Sequence, residues 1–453
     1  MRQNILRSFV AAGAFVLSAC STIPNDKPAP KVAGASPVTA PCPQGLPADT
    51  RCYSGQDSAG AFYWIAIPAN WNRVLVMHAH GGPELGAPSM ARATEDLQRW
   101  AVTVKAGYAW AGSTYRRGGY GVTMAAEDTE RLRALFVQAF GAPRRTLLHG
   151  QSYGAGVAAK AAELYATVDG RKGPYDGLLL TSGVVGGGTQ AYDYRLDLRV
   201  VYQYVCKNHP LPSEPAYPLW QGLPRESTLT SAELLQRIDA CTGVRKSPMD
   251  RTAQQRANLA TLLDTIRIPE RSLVGNMNWA TFLFRDVVQE RLDGGNPFGN
   301  IGVKYSGSRD DAALNAGVQR YPADPAAVSK LAADSNPTGR VNVPTLGLHA
   351  IDDPTAFVEL ESVYRDVRER AGTADLLVQT FSRESEHSYL SDAEYPTLFA
   401  ALLEWIDNGR KPTPEGIAAR CKDIEARFGG GCHFDPTYVP RPLAARVPPR
   451  QRP

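Results

Sequence analysis

Short apolar segments alternate along much of the chain with longer segments whose apolar residues recur every three or four positions. Residues 74–80 are apolar almost throughout, which predicts a strand buried on both faces, and residues 123–141 have the spacing of an amphipathic helix. Alternating strands and helices with short connections are typical of a parallel sheet covered by helices. Further strands are predicted at 61–68, 108–112, 145–149, 177–182, 343–350 and 375–381, and further helices at 89–107, 155–166, 356–371 and 392–408.

This alternation stops after residue 188 and resumes near residue 343. Residues 189–338 are richer in Tyr, Pro, Asn and Arg, and they carry helical spacing without a series of strands. Because the sheet pattern resumes afterwards, we expect a helical lid inserted into the sheet domain rather than a second domain. The predicted organisation is a sheet domain at 46–188 and 339–410, a cap at 189–338, and a C-terminal clip and tail at 411–453. The Pro- and Arg-rich end of that tail is typical of a disordered segment.

Residues 1–20 have the pattern of an export signal. A basic start precedes an apolar run that is too short to span a bilayer. The Leu-Ser-Ala-Cys tetrad that ends at Cys20 resembles a bacterial lipobox, which implies that Cys20 is lipidated, and Ser21 implies sorting to the outer membrane. The alternative is an ordinary signal with a chance cysteine, which would leave a periplasmic or cell-surface protein. Residues 21–45 are rich in Pro and Ala and are predicted to form a flexible tether.

Six further cysteines, an even number, favour disulfides in an exported chain. Cysteines that are nearest neighbours along the chain bracket loops rich in Gly, Pro or polar residues, so we expect these neighbours to form disulfides with each other. A zinc site is the competing interpretation, but the chain has no Cys-x-x-Cys or His-x-x-x-His spacing, and we predict no metal site. The predicted pairs are Cys42–Cys52, Cys206–Cys241 and Cys421–Cys432.

The segment Gly150-Gln-Ser152-Tyr-Gly154 joins a predicted strand to a helix-forming run. A serine on such a tight strand-to-helix turn has its hydroxyl pushed out over the edge of the sheet. The residues two before and two after it must then be nearly free of side chain. Ser152 is therefore the candidate nucleophile.

A serine hydroxyl needs an adjacent base and a group that orients that base. Asp352 and Asp353 follow the strand predicted at 343–350, and His387 follows the strand predicted at 375–381. The carboxyl ends of parallel strands meet at one edge of a sheet, so these groups can converge on the serine. The order Ser…Asp…His is that of a nucleophile-elbow hydrolase.

Together with His80-Gly81-Gly82, these motifs resemble the α/β-hydrolase superfamily over most of the predicted sheet domain and cap. The resemblance implies an α/β fold with a mostly parallel eight-stranded sheet flanked by helices, an inserted helical lid, and hydrolysis without a cofactor. It implies Asp353, directly before a proline, as the triad acid, with Asp352 as the alternative. It also implies an oxyanion hole formed by the backbone amides of Tyr153 and Gly82.

Tyr115 and Arg116 follow another predicted strand, so they are candidates for binding an acidic or aromatic substrate at the same edge. The leading interpretation is a serine hydrolase that cleaves carboxylic esters through an acyl-enzyme. A peptidase of the same fold would use the same three residues, and a non-catalytic binding protein of this fold is the third interpretation. The expected partner is a small ester or peptide.

The 49 basic and 45 acidic side chains nearly balance, so the chain has no strong positive field for nucleic acid. Membrane contact is expected through the lipid anchor only. The oligomeric state stays open.

Overall fold

A central sheet of nine strands organises the chain. The computed structural model describes residues 36–168 and 170–451, so the export signal and the predicted lipidation site at Cys20 lie outside the described residues. The strands are β1 Val38–Ala40, β2 Arg51–Gln56, β3 Phe62–Ile67, β4 Val74–Ala79, β5 Ala109–Ser113, β6 Arg145–Gln151, β7 Thr167–Val168, β8 Arg171–Lys172, β9 Gly177–Thr181, β10 Thr345–Ala350 and β11 Leu377–Ser382.

The sheet has the order β1-β2-β3-β5-β4-β6-β9-β10-β11, and β7 and β8 form a separate two-stranded ribbon. The six strands from β5 to β11 in this order run parallel to one another. The first three strands continue the sheet in antiparallel pairing. All seven strands predicted from the apolar runs are present, and the predicted fold class, a mostly parallel sheet flanked by helices, is confirmed.

The sheet has nine strands rather than the eight implied by the resemblance, because β1 forms inside the predicted tether. Val38 pairs with Ser54, and Ala40 pairs with Cys52. The disulfide from Cys42 to Cys52 ties the chain just after β1 to the strand beside it. Strand β1 has only three residues and no apolar pattern of its own, and the covalent link keeps it in register.

Helices cover both faces of the sheet, and the side chains of β4 show how the two faces divide. Val74 and Val76 pack into the apolar cluster that contains α1, α2, α13 and α14 residues. Leu75 and Met77 point the other way, into the cluster of α3, α4 and α12. The helices are α1 Met90–Arg99, α2 Ala101–Lys105, α3 Val122–Phe140, α4 Tyr153–Tyr165, α5 Gly188–Ala191, α6 Asp193–Cys206, α7 Ser231–Thr242, α8 Ala253–Ile266, α9 Leu273–Asn278, α10 Asp311–Gly317, α11 Pro325–Ser335, α12 Leu360–Arg370, α13 Glu394–Asn408 and α14 Pro414–Phe428.

The segment between β9 and β10, all of which the structure describes, consists of helices and loops. It contains α5 to α11, and two π-helical stretches at Trp279–Leu283 and Asp286–Arg291 follow α9. Most of its buried apolar side chains belong to the same cluster as those of α3 and α4. These helices occupy the segment for which a cap is predicted, and they pack over one face of the sheet.

Three disulfides are present, and their pairing is the nearest-neighbour pairing predicted from the sequence. Their Cα atoms are 5.2, 5.6 and 5.9 Å apart, within the ordinary range for a disulfide. Three disulfides are consistent with an exported protein. Among the residues described, none of the helices combines the length and the apolar character needed to cross a bilayer. The bonds are Cys42–Cys52, Cys206–Cys241 and Cys421–Cys432.

The end of the chain packs against the body over residues 441–451, where the sequence pattern predicts a disordered tail. The side chain of Arg450 is buried between the carboxylates of Asp193 and Asp197 on α6. Arg446 lies against Glu359, with 3.0 Å between Nε and Oε2. These ion pairs hold a segment whose composition alone gives no reason for order.

Candidate active site

Ser152 lies on the turn between β6 and α4, and its backbone is strained. Its φ of 57° and ψ of −123° are conformations that a side-chain-bearing residue rarely adopts. The turn is held from both sides. The Ser152 amide donates to the Thr181 carbonyl at 2.9 Å, and the Ser152 carbonyl accepts from the amides of Ala155 and Val184 at 3.0 Å each.

The two glycines of the motif are required for steric reasons. A Cβ atom at Gly154 would lie 2.0 Å from the carbonyl oxygen of Ala79, at the end of β4. A Cβ atom at Gly150 would lie 2.1 Å from the carbonyl oxygen of Gly154. The turn can therefore close only if residues 150 and 154 have no side chain, as the Gly-x-Ser-x-Gly spacing predicts.

The structure brings Ser152, His387 and Asp353 together in one chain of hydrogen bonds. The Ser152 Oγ lies 2.8 Å from the His387 Nε2, and the His387 Nδ1 lies 2.7 Å from the Asp353 Oδ2. In the tautomer that satisfies both contacts, Nδ1 donates to the carboxylate and Nε2 accepts from the hydroxyl. Asp352, the alternative acid, is not part of this chain; its backbone carbonyl accepts from Arg271.

The Asp353 carboxylate is fully buried and is held by backbone donors. Its Oδ1 accepts from the amides of Thr355 and Ala356 at 2.8 and 2.9 Å. Burial raises the pKa of Asp353, but the attraction of His387 and the hydrogen bonds from His349 and His387 outweigh it and hold the pKa well below its usual range. Asp353 therefore remains ionised and fixed in orientation.

His349 lies behind Asp353, between two carboxylates. Its Nδ1 is 3.0 Å from the Glu361 Oε1, and its Nε2 is 3.5 Å from the Asp353 Oδ2. Burial lowers the pKa of His349, but the hydrogen bonds to Asp353 and Glu361 outweigh this and raise it to about 10. His349 is thus a buried cation at neutral pH, a role that its position inside β10 did not reveal.

The loop that carries His387 is fastened through the next residue, Ser388, which is also at a positive φ of 70°. The Ser388 amide donates to the Ser182 Oγ at 3.2 Å, and its carbonyl accepts from the Arg99 Nη2 at 2.9 Å. The Ser388 Oγ accepts from the Gln151 side-chain amide. Because Gln151 directly precedes Ser152, this contact ties the imidazole loop to the serine turn.

The predicted oxyanion-hole residues, Gly82 and Tyr153, both line the cavity at Ser152. Tyr153 begins α4, so its amide has no acceptor within the helix. Gly82 has a φ of 68°. A Cβ atom at Gly81 would instead lie 2.3 Å from the Gln151 Oε1, so Gly81 faces the serine turn.

His80 is buried beside this loop, where burial and nearby Arg92 lower its pKa to about 4.

Tyr115 and Arg116, the predicted substrate-binding residues, are not among the residues that line the cavity at Ser152. The Tyr115 ring stacks on His80 with 4.2 Å between ring centroids. The Arg116 guanidinium pairs with Asp128 and Glu127, each at 2.8 Å. Both side chains have structural partners here, and their binding role stays a prediction.

The cavity at Ser152 has a volume of about 30 Å³. Its outer wall comes from the segment between β9 and β10 and includes Tyr192, Tyr194, Arg195 and Trp279. Arg195 is not among the site residues that the sequence predicts. No signal in the sequence distinguishes Arg195 from the other arginines of this segment.

The described residues contain no group of three or more His, Cys, Asp or Glu side chains arranged to hold a metal ion.

Comparison with known proteins gives similarity to solved structures only: no protein-family model matches the chain, and no curated protein does. An esterase from Aspergillus oryzae is 14% identical over 87% of this chain and 90% of that one, with a TM-score of 0.45. An esterase from Pyrococcus furiosus is 13% identical over 88% and 98%, with a TM-score of 0.38. A bacterial membrane phospholipase A is 14% identical over 80% and 87%, also at 0.38. At these values the likeness carries no argument about function.

Replacing Gly154 by alanine is expected to disrupt the serine turn, because the added methyl group would overlap the Ala79 carbonyl. We expect a loss of about 3 kcal/mol or more in the free energy of unfolding, measured by urea denaturation. Gly156 is the matched control two residues further along α4, where a Cβ atom would meet only the Val184 carbonyl at 3.4 Å. Gly156→Ala should be neutral or stabilising by up to about 1 kcal/mol. Equal losses in the two variants would contradict the steric argument.

His349→Gln is expected to destabilise the fold in a pH-dependent way. The pKa of His349 is raised in the folded state from its usual 6.5 to about 10. The stability that His349 contributes is therefore fully present below pH 6.5 and is lost as the pH rises through 10. The difference in unfolding free energy between wild type and variant should shrink over this interval, measured by urea denaturation at several pH values.

His209→Gln is the control for this pH series. His209 is also fully buried, but burial and nearby arginines hold its pKa well below the usual value. His209 is thus neutral in both the folded and the unfolded state above pH 6.5, and its variant should differ from wild type by a constant amount. A constant difference for His349→Gln as well would show that His349 is not charged in the folded protein.

Proposed function

We propose that this protein is a serine hydrolase that cleaves carboxylic esters, with Ser152 as nucleophile, His387 as general base and acid, and Asp353 as the orienting carboxylate. The observation that carries the proposal is the pair of hydrogen bonds, 2.8 and 2.7 Å, that links these three side chains beside a cavity. Nucleophile, base and orienting group at such distances form the constellation that acyl transfer needs. The strained Ser152 backbone, which presents the hydroxyl at the sheet edge, supports the same assignment.

In the acylation step, the Ser152 Oγ attacks the ester carbonyl while His387 Nε2 takes the hydroxyl proton. The negative charge that develops on the carbonyl oxygen is held by the amides of Tyr153 and Gly82. Asp353 stabilises the imidazolium and keeps Nε2 directed at the serine. The tetrahedral intermediate then collapses, the bond to the alcohol oxygen breaks, and His387 gives its proton to the leaving alcohol.

In the deacylation step, His387 takes a proton from water, and the resulting hydroxide attacks the acyl carbon. Breakdown of the second tetrahedral intermediate returns the proton to Ser152 Oγ and releases the carboxylic acid. The low pKa of Asp353, which results from its contacts with His387 and His349, keeps the orienting carboxylate charged throughout this cycle. An amide substrate would follow the same steps, so the assay must separate the two leaving groups.

Full-length wild-type protein is expected to hydrolyse 4-nitrophenyl butyrate, and a fluorophosphonate is expected to label Ser152, detected by mass spectrometry. Ser152→Ala should reduce kcat by about 10⁵-fold or more, and Asp353→Asn by about 10⁴-fold. Asp352→Asn is the matched control, since it changes the adjacent carboxylate that does not contact His387, and it should retain wild-type turnover.

Aminoacyl 4-nitroanilides are assayed beside the ester. If the anilides are cleaved faster than the ester, the protein is a peptidase that uses the same residues, and the esterase assignment is wrong. Absence of both turnover and labelling would indicate a binding protein without catalysis. Loss of activity in Asp352→Asn but not in Asp353→Asn would overturn the assignment of the acid.

We further infer that the chain is anchored to the bacterial outer membrane through a lipid on Cys20. The Leu-Ser-Ala-Cys tetrad after a short apolar run supports this, and the three disulfides agree with export. Cells given radiolabelled palmitate should incorporate label into the wild-type protein but not into Cys20→Ser. The Cys20→Ser variant should keep its ester hydrolysis and move to the soluble periplasmic fraction. Equal labelling of the two proteins would exclude this anchor.

A further inference from the structure

Arg195 is a charged side chain in a wall that is otherwise uncharged. Of the described residues that line the cavity at Ser152, it alone carries a charge; the others are apolar, aromatic, glycine or hydroxyl-bearing residues. Arg195 is the third residue of α6 and is 4% exposed. A guanidinium so deeply buried is costly unless something compensates its charge.

The protein partners of Arg195 are neutral. Its Nε donates to the Asn276 Oδ1 at 3.1 Å, and that oxygen also accepts from the Tyr194 hydroxyl at 2.7 Å. The guanidinium carbon lies 4.6 Å from the ring centroid of Trp279 and 4.8 Å from that of Tyr194. Aromatic faces stabilise a cation, but only partly.

No carboxylate among the described residues pairs with Arg195, and its Nη nitrogens donate to no acceptor among them. Two other deeply buried arginines, Arg199 and Arg368, also lack a carboxylate partner among those residues, but their Nη nitrogens donate to backbone carbonyl and hydroxyl oxygens. The fork-shaped face of Arg195, which matches the geometry of a carboxylate, thus remains available beside the cavity.

We propose that Arg195 binds a carboxylate group of the substrate, so that the preferred substrates are esters that carry a free carboxylate close to the scissile carbonyl. This inference rests on the proposed function, which it deepens by naming the substrate class. The neutral partners hold the guanidinium in place and leave its charge uncompensated until an anion arrives. Because Arg195 and Ser152 line the same cavity, the carboxylate that we propose lies only a few bonds from the ester carbonyl.

The first experiment compares two isosteric esters on full-length protein: methyl hydrogen glutarate, which carries a carboxylate, and its neutral analogue methyl glutaramate. A second pair, acetoxyacetate and acetoxyacetamide, places the charge on the alcohol side of the ester. Wild type should prefer the carboxylate in at least one pair by about 10- to 100-fold in kcat/KM, because a hydrogen bond to a charged group is worth that factor. Equal rates within both pairs would overturn the proposal.

Arg195→Met is expected to remove this preference, with the loss confined to the carboxylate-bearing ester and little change for the neutral one. Arg195→Lys, which keeps the charge but not the fork, should restore part of it. Circular dichroism establishes that the variants fold. A preference that is unchanged in Arg195→Met would assign the carboxylate to another group and overturn the proposal.

Binding to Ser152→Ala separates this proposal from the proposed function. Calorimetric titration of that variant with methyl hydrogen glutarate should give a Kd that weakens about 10-fold or more when Arg195→Met is added. If wild type neither cleaves an ester nor reacts with a fluorophosphonate, the hydrolase assignment fails while this titration still reports on the carboxylate site. If esters are cleaved but the titration shows no dependence on Arg195, the hydrolase assignment stands and the carboxylate site fails.

Discussion

The strained turn at Ser152 is the constraint on which the rest of the site depends. A positive φ at a serine costs energy, of order 1–3 kcal/mol, and persists only where the surroundings determine it. Here Gly154 touches the Ala79 carbonyl, so the start of α4 packs directly on the end of β4. This contact places the Tyr153 amide and the loop with Gly82 on the same side of the serine. One steric fit therefore positions both the nucleophile and the proposed oxyanion donors.

A line of ionisable side chains extends from the serine into the body of the protein. His387 contacts Asp353, Asp353 contacts His349, and His349 contacts Glu361. Each buried group has an oppositely charged or hydrogen-bonding neighbour, which is the condition for keeping charges away from water. The cation at His349 favours the ionised form of Asp353, while the backbone amides that also bind Asp353 fix its direction. In the proposed mechanism this arrangement lets the imidazolium of His387 form beside a carboxylate that does not have to move.

The sequence predicted the parts of this structure that have a local signature. The parallel strands are continuous apolar runs, the serine turn needs glycines at fixed positions, and the acid and base follow strands that share one edge. The choice between Asp352 and Asp353 depended on which side chain turns inward, which adjacent residues in a sequence do not show. Strand β1 and the ordered end of the chain depend on a disulfide and on ion pairs with distant residues. Arg195 could not be singled out from the sequence, because the absence of a carboxylate beside it depends on which distant residues the fold places around it.

The proposed catalytic groups and the outer wall of the cavity come from different parts of the chain, and this separation has a physical consequence. Ser152, Asp353 and His387 follow β6, β10 and β11, strands whose register is fixed by hydrogen bonds to neighbouring strands. Arg195 sits on α6, which is held from outside by Arg450 at the far end of the chain. The position of the guanidinium relative to the serine thus depends on how the terminal segment binds α6. In the proposed hydrolase, substrate preference can therefore respond to changes in that segment, while the hydrogen bonds among Ser152, His387 and Asp353 do not depend on it.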